Sequence, residues 1–206
     1  MPVNLVVCVA TELEGALLAG HVPVIRTGVG AVNAAHALTR FLEREGARGV
    51  ICCGIAGAYP QAFAEGLETG SVVCATSECY GDLGADSAQG FLDMQALGFA
   101  VIAGEPPVYN TIPMQLFPAP RRAGFVTVNT CSGSDERART MEARTGGSVE
   151  SMEGAAIAHV AALYGLPCGE IRGISNRAGN RDRGAWRVKE AAAAAQEELL
   201  KWLARR

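Results

Sequence analysis

Apolar runs of strand length alternate along this chain with longer segments that have helical periodicity. The first run, residues 3–9 (VNLVVCV), is typical of a strand covered on both faces. Further strands are predicted at residues 21–27, 49–53, 70–79, 124–130 and 167–174, and helices at residues 31–45, from residue 151 to the stop signal at Gly165 and Pro167, and at residues 185–206. Strands that alternate with helices predict an α/β protein with a central, largely parallel sheet.

Length and composition favour one domain over residues 1–206. The 206 residues are 49% hydrophobic, and no charge run, Ser/Gly tract or internal repeat marks a linker. The net charge of −3 offers no electrostatic attraction to nucleic acid or to an anionic membrane. No apolar run approaches membrane-spanning length, and the N-terminus lacks the basic region of a signal peptide, so we expect a cytoplasmic protein.

The cysteine and histidine residues are not arranged as metal ligands. Seven cysteines occur mostly in apolar runs and form no CxxC pair, so we interpret them as small buried residues. The three histidines, His21, His36 and His159, are not assigned to catalysis. We therefore expect no metal site.

Residues 151–186 carry the main candidate chemistry. Met152 and Glu153 begin a helix, and the later strand ends in the polar pair Ser175 and Asn176. An acid at a helix start, followed by polar side chains at a strand end, is how open α/β sheets build sites beyond the carboxyl ends of their strands. The alternative for Glu153 is an acid that only complements the helix dipole.

Two further segments allow more than one interpretation. Glu12 and Glu14 follow the first strand, and the pattern alone fits either catalytic carboxylates or the acidic first turn of a helix. Residues 28–33, GVGAVN, resemble a dinucleotide fingerprint, but Asn33 replaces its third glycine and no acid follows at the expected distance. We interpret residues 28–33 as a tight turn before a helix.

The pair Met152 and Glu153, together with residues 172–175 (RGIS), resembles the motifs of the purine nucleosidase and nucleoside phosphorylase family. The resemblance implies a three-layer α/β/α sandwich with a central mixed, largely parallel sheet. It also implies cleavage of the N-glycosidic bond of a purine nucleoside without a cofactor, in a homo-oligomer that is a dimer or a tetramer. No Gly-Asp-Pro-x-Arg phosphate loop is found, which favours water over phosphate as the nucleophile. The alternatives are a nucleosidase for adenine nucleosides and a purine-binding protein without activity.

The resemblance assigns roles to seven residues. Glu14 is the general base that activates water, with Glu12 an exposed neighbour, and Glu153 accepts hydrogen bonds from the ribose hydroxyls. Asn176, at the position where adenine-cleaving nucleosidases carry Asp, contacts the base. The remaining substrate contacts are Met152 beside the sugar, the backbone of Ala56 and Gly57, and Gly133 in the turn that holds the purine.

The part of the substrate beyond the ribose needs its own contacts. We expect the loop at residues 80–94 to cover it, because a loop of this length in a compact domain is often functional. Arg177, Arg181 and Arg183 are candidates for pairing with a carboxylate on the substrate. Three arginines in one loop also fit a solvated surface, and the sequence leaves both interpretations open.

Overall fold

The structure is a computed structural model that describes residues 4–114 and 121–205. In chain order, its elements are β1 (Val6–Val9), β2 (Val24–Arg26), α1 (Ala31–Arg44), β3 (Val50–Ala58), α2 (Pro60–Ala64), β4 (Val72–Tyr80), β5 (Gly84–Ser87), β6 (Gly90–Asp93), α3 (Met94–Leu97), β7 (Thr111–Pro113), β8 (Arg122–Thr127), α4 (Asp135–Thr145), β9 (Val149–Ser151), α5 (Gly154–Leu163), β10 (Cys168–Arg177) and α6 (Val188–Leu203). Residues 3 and 206, at the ends of a predicted strand and helix, lie outside the described residues.

The strands form a mixed, largely parallel sheet, as predicted. The pairs β1–β2, β1–β3, β3–β10, β4–β8 and β8–β9 are parallel, whereas β3–β9, β4–β10 and β4–β7 are antiparallel. Because β10 pairs with both β3 and β4, the strands β3, β10, β4, β8 and β9 close into a ring, and β1 and β2 extend it on one side. Closure brings the ends of β9 and β10 to opposite sides of β3.

Helices cover both faces of β1 and β3, which gives the predicted three layers. Val6 and Cys8 of β1 pack in one core with Leu38 of α1 and Ile157 of α5. The alternate residues Val7 and Val9 pack in a second core with Leu199 of α6. Successive side chains of a strand point to opposite faces, so a strand covered on both faces has to be apolar throughout.

Two strands extend further than predicted. We predicted that the third strand ends at Cys53, but β3 runs on to Ala58 because the small residues after Cys53 fit between its neighbouring strands. The strand predicted at residues 167–174 likewise runs on, and β10 includes Ser175 and Asn176 and ends at Arg177. Strand β9 was not predicted, because its three residues are too few to show an alternating pattern.

The segment after β1 is not a helix. Residues 12–22 form turns, with hydrogen bonds such as Gly15 N to Glu12 O at 3.1 Å and Leu18 N to Gly15 O at 3.0 Å. The acids at positions 12 and 14 are therefore not the acidic first turn of a helix. None of the described helices is long and apolar enough to cross a membrane.

Candidate active site

A pocket of about 440 Å³ lies at the carboxyl ends of β1, β3 and β10. This volume is in the range of sites that enclose small organic ligands. Six of the seven residues predicted for the site line this pocket: Glu14, Ala56, Gly57, Met152, Glu153 and Asn176. The seventh, Gly133, is exposed and does not line it, because the turn presents the preceding residue, Ser132, to the pocket instead.

Glu14 is held in the pocket by three hydrogen-bond donors. Its Oε2 accepts hydrogen bonds from the backbone N of Thr11 at 2.9 Å and from its Oγ1 at 2.7 Å. Its Oε1 accepts one from the backbone N of Ile55 at 3.0 Å. The neighbouring Glu12 has a side chain that is 86% exposed and pairs with Arg26 at 3.5 Å. The structure therefore places only the second acid of this turn in the pocket.

The position of Glu14 depends on Gly54 in β3. A Cβ at Gly54 would lie 2.4 Å from Oε1 of Glu14 and 2.7 Å from Nη1 of Arg172. Contacts this short are not possible with any larger residue, so the glycine makes room for the carboxylate and the guanidinium together.

Glu153 occupies the N-cap position of α5 but does not cap it. Its side chain accepts no hydrogen bond from the first turn of the helix. Instead, Oε1 accepts a hydrogen bond from the backbone N of Gly30 at 2.9 Å, and Oε2 lies 3.6 Å from Nη2 of Arg172. Gly30 has a φ angle of 95°, which L-residues with side chains rarely adopt. The glycine-rich turn before α1 thus contributes an N–H group to the site, a role that sequence reasoning missed.

Arg172 lies beneath the two site acids and is 1% exposed. Its Nε donates to Oε1 of Glu170 at 2.7 Å, and its Nη1 donates to the carbonyl oxygen of Ile55 at 3.2 Å. Together with its contact to Glu153, these bonds connect β3, β10 and the start of α5 through one cation.

Glu78 extends this buried network. Burial and the neighbouring Glu170 hold the pKa of the Glu78 carboxyl well above its usual range. Its Oε2 accepts a hydrogen bond from Oγ1 of Thr127 at 3.1 Å, and that same Oγ1 accepts one from the backbone N of Ala155 at 2.7 Å. The network therefore also holds the start of α5, on which Glu153 sits.

A β-bulge directs Asn176 into the pocket. The register between β10 and β3 shifts after Ile174, so that Asn176 pairs with Gly57 and Ser175 is the extra residue. Oδ1 of Asn176 accepts a hydrogen bond from Oγ of Ser175 at 2.7 Å, and Nδ2 donates to the carbonyl oxygen of Arg177 at 3.0 Å. Because a carbonyl oxygen only accepts, the second bond establishes which end of the amide is nitrogen.

Glu150 is a third acid that lines the pocket, and sequence reasoning missed it. It is 6% exposed, lines the pocket, and accepts hydrogen bonds from Ser132 N at 3.0 Å and from Ser132 Oγ at 2.7 Å. Burial raises the pKa of this carboxyl, although the Ser132 donors act in the opposite direction. The only sequence signal is its position two residues before Met152.

The arginines of the loop after β10 differ in their surroundings. Arg177 makes two hydrogen bonds to Asp135, at 2.7 and 2.9 Å, and this partner lowers the pKa of Asp135 to about 2. Arg181 lines the pocket and its guanidinium lies 5.1 Å from the ring centroid of Trp186, whereas Arg183 does not line the pocket.

The segment expected to cover the substrate is folded elsewhere. Residues 84–93 form the hairpin β5–β6, and no residue from 80 to 94 lines the pocket. Trp186 and Val188, just before and at the start of α6, line the pocket instead. Within the described ranges, no three His, Cys, Asp or Glu side chains are grouped so that they could hold a metal ion.

Three buried acids and an amide around a nucleoside-sized pocket, at the carboxyl ends of a mixed sheet, define a nucleosidase-type α/β protein. The phosphorylase superfamily pattern matches residues 10–205. The fold is similar to that of the 5′-methylthioadenosine/S-adenosylhomocysteine nucleosidase of S. pneumoniae, with a TM-score of 0.80, 21% identity, and coverage of 97% of this chain and 98% of that one. It is also similar to a futalosine hydrolase mutant of Helicobacter pylori, with a TM-score of 0.79, 16% identity, and coverage of 98% and 99%.

Sequence comparison shows to which family within this class the chain belongs. Futalosine hydrolases of Thermus thermophilus and Acidothermus cellulolyticus are 34% and 39% identical to the chain, over 87% and 82% of its length and 80% and 69% of theirs. The futalosine hydrolase of Streptomyces coelicolor is 37% identical over 74% of the chain, which spans 63% of that relative. The chain belongs to the phosphorylase superfamily and, within it, to the futalosine hydrolase family. This confirms the resemblance indicated by Met152, Glu153 and residues 172–175.

Proposed function

We propose that the protein hydrolyses the N-glycosidic bond of futalosine and releases hypoxanthine and dehypoxanthine futalosine, a step of menaquinone biosynthesis. The observation that carries this proposal is the placement of Glu14, Glu153 and Asn176 around one pocket. The curated relatives, which are named futalosine hydrolases, support the substrate.

Glu14 acts as the general base. Cleavage develops positive charge on the sugar and negative charge on the leaving base, and it requires a water molecule at the anomeric carbon. Glu14 takes a proton from this water as its oxygen bonds to the anomeric carbon, while the electron pair of the C–N bond leaves with the purine. The hydrogen bonds from Thr11 and Ile55 keep the carboxylate in one orientation, which such a base requires.

Glu153 binds the ribose. Gly30 N occupies one lone pair of Oε1, and the carboxylate keeps acceptor capacity for the two hydroxyls of the sugar. Arg172, 3.6 Å from Oε2, offsets part of the cost of burying this charge. Met152 packs beside the sugar, and the backbone of Ala56 and Gly57 lines the floor of the pocket.

Asn176 contacts the edge of a 6-oxopurine that carries O6 and N7. Its Nδ2 has a second hydrogen to donate to O6, and its Oδ1 has a second lone pair to accept from a protonated N7. An amide cannot supply a proton, so the proton on N7 comes from solvent.

Incubation with futalosine tests the reaction. We expect chromatography to show free hypoxanthine at a rate that does not change when phosphate or a chelator is added. A rate that rises strongly with phosphate would show phosphorolysis instead, and binding of futalosine without turnover would favour a purine-binding protein.

Asn176→Asp is expected to shift the preference towards adenine nucleosides. A protonated Asp can give a proton to N7 and accept from a 6-amino group, whereas Asn complements a 6-oxo group. A mismatched edge leaves buried polar groups unpaired, at about 1–3 kcal/mol for each group. The measurement is kcat/KM for futalosine and for methylthioadenosine on both proteins. If the unmodified protein cleaves methylthioadenosine as efficiently as futalosine, Asn176 does not select the base and only completes the strand end.

The environment and assembly of the protein are part of the same proposal. A net charge of −3 and the enzyme class support a cytoplasmic protein that binds neither nucleic acid nor membrane. The family resemblance supports a homo-oligomer, either a dimer or a tetramer. Arg181 is the best placed of the three arginines to pair with the benzoate of futalosine, because Arg183 does not line the pocket and Arg177, which does, is already paired with Asp135.

A further inference from the structure

Glu78 of β4 and Glu170 of β10 face each other in the core, away from the pocket. Both residues are 0% exposed. A Cβ at Gly154 would lie 2.0 Å from Oε1 of Glu78 and 2.4 Å from Oε2 of Glu170, so these two oxygens adjoin the same point at the start of α5. Only a glycine at this position leaves room for the two carboxyl groups.

The two facing oxygens lack a hydrogen-bond donor. Among the described residues, neither Oε1 of Glu78 nor Oε2 of Glu170 has a hydrogen-bond partner. The other oxygen of each group is satisfied: Oε2 of Glu78 accepts from Oγ1 of Thr127 at 3.1 Å, and Oε1 of Glu170 accepts from Nε of Arg172 at 2.7 Å. Two ionised carboxylates cannot satisfy each other, because both only accept, whereas one proton between the facing oxygens satisfies both.

The surrounding charges favour one proton in this pair. Arg172 is already paired with Glu170 and with Glu153. No salt bridge among the described residues involves Glu78, so its ionised form would be a buried charge without a cation. In agreement, burial and then the neighbouring Glu170 raise the pKa of Glu78. Its other titratable neighbours are thiols and phenols whose own pKa values burial raises: Tyr59, Cys79, Tyr80 and Cys168.

The pair joins two connections that end at Glu153. From Glu78, the bond with Oγ1 of Thr127 continues to the backbone N of Ala155, two residues after Glu153. From the other acid of the pair, Arg172 reaches Oε2 of Glu153 itself, at 3.6 Å. The first connection fixes the backbone on which Glu153 sits, and the second fixes its carboxylate.

We propose that Glu78 donates a proton from its Oε1 to Oε2 of Glu170, and that this shared proton positions Glu153 for binding of the ribose. It closes the two connections into one continuous network around Glu153. Both acids of the pair are positioning residues, since neither lines the pocket. The inference rests on the proposed function only for the role of Glu153, because the proton can be measured without a substrate.

Glu78→Gln tests the shared proton through the pH dependence of unfolding. The glutamine is a permanently neutral analogue whose amide can donate to Glu170 at every pH. Above about pH 5 the unfolded chain has released the proton of Glu78, whereas the folded protein retains it, so the stability of the unmodified protein falls as pH rises towards the raised pKa. Measured by urea denaturation, the unfolding constant of the unmodified protein, divided by that of Glu78→Gln, should rise about ten-fold for each pH unit between about pH 5 and 6.5.

Two outcomes would overturn the shared proton. A ratio that stays constant over this range would show that Glu78 is ionised in the folded protein. Failure of Glu78→Gln to fold would show that the ionised form is required, because glutamine is the neutral isostere. Glu12→Gln is the matched control: it changes an acid whose side chain is 86% exposed, and should follow the unmodified protein at every pH.

The KM for futalosine tests the position of Glu153. Thr127→Val removes the Oγ1 that links Glu78 to Ala155 but keeps both carboxyl groups. We expect it to raise KM about ten-fold with a smaller change in kcat, because the ribose contact weakens, and to keep the pH dependence of unfolding. Glu78→Gln should leave KM nearly unchanged, because its amide replaces the proton.

An unchanged KM in Thr127→Val would show that the pair supports the fold alone, and would overturn its positioning role. An equal rise of KM in Glu78→Gln would also overturn the proposal, because the neutral analogue keeps the connection. If futalosine is bound but not cleaved, the proposed reaction is wrong, and the Kd for futalosine replaces KM in the same comparison. The pH dependence of unfolding is unaffected by that outcome.

Discussion

Glu14→Gln is expected to lower kcat by roughly two to four orders of magnitude, because it removes the base that takes the proton from the attacking water. The substitution keeps the shape of the side chain. An amide can still accept from one of its donors, Thr11 or Ile55, but its NH₂ end must then face the other, so some rearrangement is expected in addition. The measurement is single-turnover release of hypoxanthine from futalosine.

Glu12→Gln is the matched control. Glu12 is two residues away in the same turn, is largely exposed, and makes a surface pair with Arg26, so its loss should leave kcat nearly unchanged. Equal losses in the two variants would show that the turn as a whole matters, and a loss confined to Glu12→Gln would show that the base is the other acid.

Arg172→Met is expected to lower the free energy of unfolding by about 3–5 kcal/mol, because it leaves buried acids without their cation. Glu170, whose Oε1 is 2.7 Å from the guanidinium, and Glu153, at 3.6 Å, would both lose their positive partner. The hydrogen bond to the carbonyl oxygen of Ile55 would be lost as well. Urea denaturation, compared with that of the unmodified protein, measures the change.

Arg26→Met provides the comparison for Arg172. Its salt bridge to Glu12 lies between side chains that are 66% and 86% exposed, and pairs of this kind contribute about 0–1 kcal/mol. A similar small change in Arg172→Met would mean that the neighbouring acids take up protons and that the cation is not required for stability. If the Arg172→Met protein keeps its stability but loses its activity, the only role of Arg172 is to position Glu153.

The fold could be predicted from the sequence because its signals are local. The apolar run of β1 reflects a strand buried on both faces, and this requirement acts on each residue separately. The stop signal at Gly165 and Pro167 likewise marks the end of α5 and the start of β10, because these residues restrict their own backbone. Closure of five strands into a ring could not be predicted, since it depends on β10 pairing with both β3 and β4.

The residues of the candidate site also fall into those that could be predicted from the sequence and those that could not. Glu14, Glu153 and Asn176 could be named because each stands in a recognisable motif beside a strand or helix end. Glu150 could not, because its place in the pocket comes from the pairing of β9 with β3, far away in sequence. Gly133 was named and lies outside the pocket, since the orientation of a turn depends on what it packs against.

The sequence by itself determined the class of this protein, its alternating elements and the identity of three polar residues at the strand and helix ends. Only the tertiary structure decided how these groups meet: the bulge at Ser175 that directs Asn176, the N–H of Gly30 that meets Glu153, and the pairing of β9 with β3 that brings Glu150 to the pocket. The physical reason is how far apart along the chain the interacting residues lie. Propensity, capping and apolar periodicity are properties of neighbouring residues, whereas register, close approach at a glycine and shared hydrogen bonds arise only when distant segments pack together.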